Sequence, residues 1–283
     1  MGQTRSILFG LALVLGQTAV AQAADLGLPP PPIEIIEPVC TTCGGPWYLK
    51  GFIGAANPTV GSIETEVFAF NDFQVFHEDI KSSTLFGAGF GYDTGHYFRF
   101  DVTGEYRGKS LFIAQDRYPG GNGTFSRDSN LADDTFLPGT NEYTADIESW
   151  LGLANMYIDL GTWYCVTPYI GGGVGVASIS VLGLKDVNVP NLGVAYGADH
   201  TETNFAWAVY AGLAYEVTSA VTLDLSYRYA DLGDARSGTV TAYDGSSSFS
   251  GVDINDIDSH DLMLGVRWKL GRQDAAPMPV AFK

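Results

Sequence analysis

Positive charge is scarce in this chain: Lys and Arg number 15 against 32 Asp and Glu, a formal net charge of −17 over 283 residues. Binding nucleic acid needs a basic footprint, so nucleic acid is not an expected partner. Cysteine is scarcer still, with three residues. Cys40 and Cys43 form a C-x-x-C pair and Cys165 stands alone. A zinc centre needs four ligands and no second pair exists. A thioredoxin-like role needs a βαβ setting that this region lacks. In an exported chain the pair can close a local disulfide; the other reading is two idle thiols. Long apolar runs are missing too. Beyond the N-terminus no stretch approaches the roughly 20 apolar residues of a spanning helix, so a membrane location would require a barrel.

Catalytic chemistry is equally thin. The histidines are His77, His96, His200 and His260, and no Ser-His-acid spacing singles out a nucleophile with its base. No enzyme activity, cofactor or metal is expected. Asp253-Ile-Asn-Asp256-Ile-Asp258 would offer oxygen ligands to Ca²⁺, but it lacks the twelve-residue EF-hand pattern, and a solvated acidic loop is the plainer reading.

What is abundant is Gly (35 residues) and aromatics (13%), a composition suited to β-structure. Residues 97–107 alternate strictly. Phe98, Phe100, Val102, Gly104 and Tyr106 share one parity; Tyr97, Arg99, Asp101, Thr103, Glu105 and Arg107 share the other. Successive strand side chains point to opposite faces, so one face is apolar and the other charged. The pattern recurs in 82–93, 203–217, 221–229 and 260–270. Eight strands are expected, at 47–56, 82–93, 97–108, 142–160, 167–181, 203–218, 221–233 and 258–270. In the fourth, Tyr143, Ala145, Ile147, Leu151, Leu153 and Tyr157 read as the apolar face, opposite Asp146, Glu148 and Trp150. Glycines 171, 172, 173 and 175 in the fifth would let the sheet bend or seat a bulky neighbour.

Connections alternate between short turns (94–96, 161–166, 218–220) and long ones (57–81, 109–141, 182–202, 234–257). Short inner turns, long outer loops and aromatics near the strand ends are the pattern of bacterial outer-membrane barrels. Girdle positions are expected for Tyr92, Phe98, Tyr157, Trp163, Tyr164, Tyr215 and Trp268 at the inner rim, and for Tyr106, Tyr143, Phe205, Trp207, Tyr227 and Tyr229 at the outer. Apolar residues in loop 57–81 (Val67, Phe68, Phe70, Phe73, Val75, Phe76) suggest that strands continue above the membrane. Asp128, Asp133, Asp134, Asp186, Asp199 and Asp244 make the outer loops acidic.

The N-terminus reads as a secretory signal, with Arg5, an apolar Ile7–Leu15 stretch and Ala21-Gln22-Ala23 before cleavage, so residues 1–23 are a signal peptide. Residues 24–46, with Pro29–Pro32, Pro38 and Pro46, form a periplasmic linker. The barrel covers 47–270, and 271–283 is a tail.

Residues 47–270 resemble the small outer-membrane barrels of the OmpA/OmpX type, and the opacity-type surface antigens of alphaproteobacteria in particular. Asp101-Val-Thr-Gly-Glu-Tyr-Arg107, Asp146-Ile-Glu-Ser-Trp-Leu-Gly-Leu-Ala-Asn155 and His260-Asp-Leu-Met-Leu-Gly-Val-Arg-Trp268 carry the likeness. The tail after Trp268-Lys-Leu270 departs from family barrels, which end at the last strand.

The expectation is therefore an all-β, eight-stranded antiparallel transmembrane barrel in the outer membrane of a Gram-negative bacterium. Lys50, Arg99, Asp101, Glu105, Arg107, Asp146, Glu148, Asp224, Arg228, Asp261 and Arg267 would form a lumen charge network, because an eight-stranded bore is just wide enough for side chains to fill and buried charges need partners. The expected role is non-enzymatic: envelope support or surface contact through acidic loops, with outer-membrane lipid, lipopolysaccharide and an extracellular partner as contacts. The alternative is a small porin-like channel.

Overall fold

In the computed structural model, residues 45–65, 74–118, 139–189 and 192–271 are described. The signal segment, nearly all of the linker with Cys40 and Cys43, and the tail from residue 272 lie outside the described residues. So do Val67, Phe68, Phe70, Phe73, Asp128, Asp133 and Asp134.

The strands run in chain order: β1 (Trp47–Thr59), β2 (Ser62–Glu64), β3 (Gln74–Ile80), β4 (Ser83–Asp93), β5 (Phe98–Tyr118), β6 (Gly139–Asp159), β7 (Val166–Asn188), β8 (Gly193–Gly197), β9 (His200–Glu216), β10 (Val221–Asp231), β11 (Ala235–Arg236), β12 (Val240–Ala242), β13 (Ser248–Phe249), β14 (Asp253–Asn255) and β15 (Asp258–Lys269). Eight of them close a ring, β1–β4–β5–β6–β7–β9–β10–β15 and back to β1, every pairing antiparallel. Paired residues lead round the ring from Leu49 through Phe90, Val102, Ala154, Val174, Trp207, Asp231 and Asp258 back to Thr59. The return falls ten residues along β1 (59 minus 49), the stagger that tilts the strands and fixes the bore width.

The wall carries an outward apolar band. Leu49, Ile53, Phe90, Val102, Met156, Val174, Leu213, Leu225 and Leu264 are all exposed on it. The rings of Trp47, Tyr92, Phe98, Tyr215 and Trp268 edge it at the turn end, and those of Trp150, Phe205, Trp207 and Tyr227 at the other. In water such a surface would be untenable; against hydrocarbon it is the favourable face.

Three strands are far longer than a bilayer needs. β5, β6 and β7 have 21, 21 and 23 residues, where about 9–11 suffice. Above the band they continue as a sheet joined by β3 on β5 and by β8, β12 and β13 beyond β7. Much of the expected outer loops is therefore strand, including 109–118 and 182–188. The expectation of strand continuation in loop 57–81 is met by β3, which includes Val75 and Phe76.

Two bulges explain why alternation loses its phase there. Pairing shifts between Arg107 and Ser110 on β5, and opposite Thr144/Asp146 on β7, where Gly183 has φ +60°. Below each bulge odd residues face inward; above it Ser110, Phe112, Ala114, Leu184 and Asp186 do. An extra residue reverses the faces.

The upper interior is an apolar core. Phe112, Ala145, Ile147, Ile179, Val181 and Leu184 from the wall pack with Ile63, Ala235, Val252, Ile254 and Ile257, all buried. The last group comes from or beside a small sheet, β11–β14–β2, which sits as a lid. Full burial of each such Ile or Val is worth about 1.5–3 kcal/mol, so the lid is anchored by its own hydrophobic residues.

Candidate functional site

The bore below that core is built from charges and tyrosines. Deepest toward the turn end, Arg99 forks onto Asp159 at 2.8–3.0 Å, and its guanidinium lies 4.7 and 5.0 Å from the rings of Tyr169 and Tyr157. Lys269 meets Asp93 at 3.2 Å and Arg267 meets Asp224 at 2.5 Å. Asp101 accepts hydrogen bonds from Tyr48 (3.0 Å) and Asn155 (2.8 Å), with the Lys50 ammonium 3.6 Å away. Tyr210 donates to Asn155 Oδ1 at 2.9 Å.

Higher up, four charges make a closed quartet. Arg228 donates to both oxygens of Glu105 (2.7 and 2.6 Å) and to Asp261 (2.8 Å). Arg107 donates to Glu105 (2.9 Å) and Asp261 (2.6 Å), and Ser259 completes Asp261 at 2.6 Å. Two cations and two anions cancel, and each carboxylate takes several charge-assisted bonds. Among these side chains remains a void of about 10 Å³, lined by Lys50, Phe52, Tyr157, Tyr210, Asp224 and Arg228 among others. That is room for about one water.

Glycines make space for the rings. A Cβ at Gly171 would lie 2.4 Å from Tyr157, and one at Gly91 2.3 Å from Tyr48. Of the two sequence-level readings of the glycine-rich strand, the seated bulky neighbour is the one that the geometry bears out.

Nine of the eleven expected lumen charges therefore face the bore. Asp146 and Glu148 do not. They lie on the outer face of β6, Asp146 3.4 Å from Lys109 and Glu148 accepting from Tyr106 at 2.8 Å. The whole strand has the opposite phase to the expected one: Tyr143, Ala145, Ile147, Leu151, Leu153 and Tyr157 are inward and buried, and Trp150 is outward. Tyr143 and Tyr157 accordingly leave the girdle for the interior. The cause is the apolar upper core, which makes the inner face of β6 more hydrophobic than its outer one. Asp93 and Asp159 were missed because each ends a strand beside a turn. Asn155 was visible as a polar interruption of an apolar set. Asp253 pairs with Arg236, and among the described residues no three acidic, His or Cys side chains converge on a metal-sized site.

Above the membrane band lies a second polar cluster. Asp116 is fully buried and accepts from Asn141 N (3.1 Å), Asn141 Nδ2 (2.9 Å) and Tyr143 (2.8 Å). Asp186, cross-strand from Tyr143, has a buried Oδ1 without a hydrogen bond. Burial, then the charge of Asp116, push its carboxyl up to about 7. Burial also raises Asp116, and raises the Tyr143 hydroxyl with the two carboxylates adding to it.

Beyond this cluster the hairpins β7–β8 and β12–β13 form a lip. Leu192 and Tyr243 are 90% and 81% exposed, and Val189 and Tyr196 are also exposed.

A family model for the outer membrane protein beta-barrel domain matches residues 11–269. The chain belongs to that family. An uncharacterised protein of Brucella melitensis is 27% identical over 237 residues, 76% of this chain and 77% of its own. A candidate adhesin of Rickettsia conorii is 25% identical over 79% of this chain and 82% of its own. Among solved structures, the outer membrane protein OprG of Pseudomonas aeruginosa aligns over 81% of this chain and 97% of its own, with 14% identity and a TM-score of 0.48. This chain is an outer-membrane β-barrel of a Gram-negative bacterium, embedded in that membrane by its apolar band.

Proposed function

We propose that this barrel does not conduct, and that it acts by presenting its extracellular sheet to a partner outside the cell. The observation that carries the reading is the filled bore. The charge quartet and tyrosine layer leave about 10 Å³, above a cavity of about 160 Å³ at the turn end lined by Asp159, Arg267 and Lys269, and the apolar core under the β11–β14–β2 lid closes the outer end. Opening a path would mean separating paired buried charges, which costs several kcal/mol, and lifting the lid as well. Those two barriers in series disfavour the porin-like alternative.

The ordered sheet above the membrane supports the other half of the reading. A barrel that served only as a membrane plug would not need strands twice the spanning length. The relative named as a candidate adhesin in Rickettsia agrees with a surface role. The proposed role is non-enzymatic.

A liposome-swelling assay tests the closed bore. Proteoliposomes holding folded protein swell no faster than empty liposomes in small sugars and amino acids; rapid swelling would overturn the reading.

A further inference from the structure

One carboxylate oxygen in the bore is left without a donor. Asp224 on β10 is 2% exposed. Its Oδ2 accepts from Arg267 Nε, but its Oδ1 is buried with no hydrogen-bond partner among the described residues. Burying a carboxylate oxygen unserved costs more than burying a neutral acceptor. Asp224 also lines the void of about 10 Å³ at mid-bore. Arg267 lines the cavity at the turn end instead. Arg267 therefore holds Oδ2 from the turn side, which leaves Oδ1 as the oxygen turned to the void.

The groups around that void suit one small occupant. The Lys50 ammonium lies 5.6 Å from the centre of the Phe52 ring and 5.0 Å from that of Tyr157, and Lys50 and both rings line the void. An ammonium carries three N–H donors. One reaches the Tyr157 hydroxyl at 3.2 Å and a second faces Asp101 at 3.6 Å, so a third is left over. Ser226, whose hydroxyl both donates and accepts, belongs to the same lining. Charge then selects the occupant. A cation would lie against Lys50 and Arg228, and an anion against the bare oxygen of Asp224. A neutral molecule with a single heavy atom that donates and accepts meets every demand, and the space is that of one water.

We infer that one ordered water occupies this void, donating to Asp224 Oδ1 and accepting from Lys50 Nζ. It joins the Arg267–Asp224 pair to the Lys50–Asp101 pair, so the charged layers of the bore become one network. The site rests on the reading of the bore as closed to bulk solvent, and it adds what fills the remaining gap.

Diffraction and unfolding test this on the full folded protein. In a crystal structure fine enough to order buried waters, one density peak is expected within hydrogen-bond distance of both Asp224 Oδ1 and Lys50 Nζ. An empty void, or a peak that reaches neither atom, would overturn the inference. Gly265, cross-strand from Asp224 and part of the same lining, gives a second readout. A Cβ added there meets Gly51 O at 3.3 Å, Phe52 Cβ at 3.4 Å and Asp224 Cβ at 3.6 Å, so a small side chain enters the void with only a slight squeeze. Gly265→Ala expels the water and brings no donor, whereas Gly265→Ser puts a hydroxyl in its place. In urea titration the Ala variant should raise the unfolding equilibrium constant about tenfold, the cost of an unserved buried acceptor, and the Ser variant should recover most of that. Both carry the same added carbon, so the comparison cancels its packing cost. A Ser variant no more stable than the Ala variant would overturn the water as the donor to Asp224. Liposome swelling separates the two ideas. No density peak in protein that fails to swell liposomes refutes the water and leaves the closed bore standing; rapid swelling overturns the closed bore itself, and the site with it.

Discussion

Replacing Arg228 with Met removes one charge from the quartet while keeping an unbranched apolar stem in place of the aliphatic part of the side chain. Glu105 loses both of its bonds to Arg228 and Asp261 loses one. One guanidinium, Arg107, is then left to serve two buried carboxylates, so the cluster changes from neutral to a net charge of −1. A unit charge about 4 Å from its partner, at an effective dielectric constant near 20, is worth about 4 kcal/mol. Breaking buried pairs by removing one member costs about 3–5 kcal/mol in other proteins. We expect Arg228→Met to lower the unfolding free energy by about 3–5 kcal/mol, read by urea titration of vesicle-inserted protein through tryptophan fluorescence. Adding Glu105→Gln leaves a balanced Arg107–Asp261 pair and should restore all but about 1–2 kcal/mol. A single-variant loss below about 1 kcal/mol, or a double variant no better than the single, would refute the reasoning.

Three further outcomes follow from the same geometry. Asp186 has its carboxyl raised to about 7, so the folded chain holds a proton that the unfolded chain releases near pH 4. Its stabilising contribution is present below about pH 4 and is lost as pH rises to about 7. Denaturant midpoints measured from pH 4 to 8 should fall across that window, and Asp186→Asn should flatten the fall. Gly171→Val drives a side chain into the Tyr157 ring and should abolish the compact folded band on unheated gels, whereas Gly104→Ala, with nothing within 4 Å of the added carbon, should not. Leu264→Arg places a charge mid-band on the lipid face and should cost about 2–4 kcal/mol in the urea titration.

The barrel was legible wherever lipid faced one side of a strand and charge faced the other. Residues 98–107, 221–229 and 260–268 show their two faces plainly, because hydrocarbon and a charged bore demand opposite chemistry. β6 defeats that logic. Its inner face lines both the tyrosine layer and the upper apolar core, while its outer face leaves the membrane at Trp150 and becomes acidic at Glu148 and Asp146. Hydrophobicity alone therefore assigned its faces backwards. Ser149 and Asn155, polar among the inward residues, and the uncharged run Gly152, Ala154, Met156, Ile158 were the signals that it faced the other way.

The outer sheet was mostly hidden because bulges at Arg107/Ser110 and Gly183 reverse the alternation, so continuing strands look like loops. The pairing inside the bore was also only half visible. Arg99 was singled out, but its partner Asp159 ends β6 beside a turn, and which charge reaches which depends on a strand stagger that period-two patterns do not encode. The lip combines two glycine-containing hairpins whose adjacency is purely tertiary.

The central claim is a bore closed by paired charges under an apolar lid, and single-channel recording in planar bilayers tests it most directly. Protein first shown to be folded and inserted should give no discrete current steps between −100 and +100 mV, on the order of the potentials that move a charge across a membrane. Discrete openings whose conductance or ion selectivity shifts when Arg99 or Asp224 is neutralised would contradict the account and make the interior charges the lining of a pore.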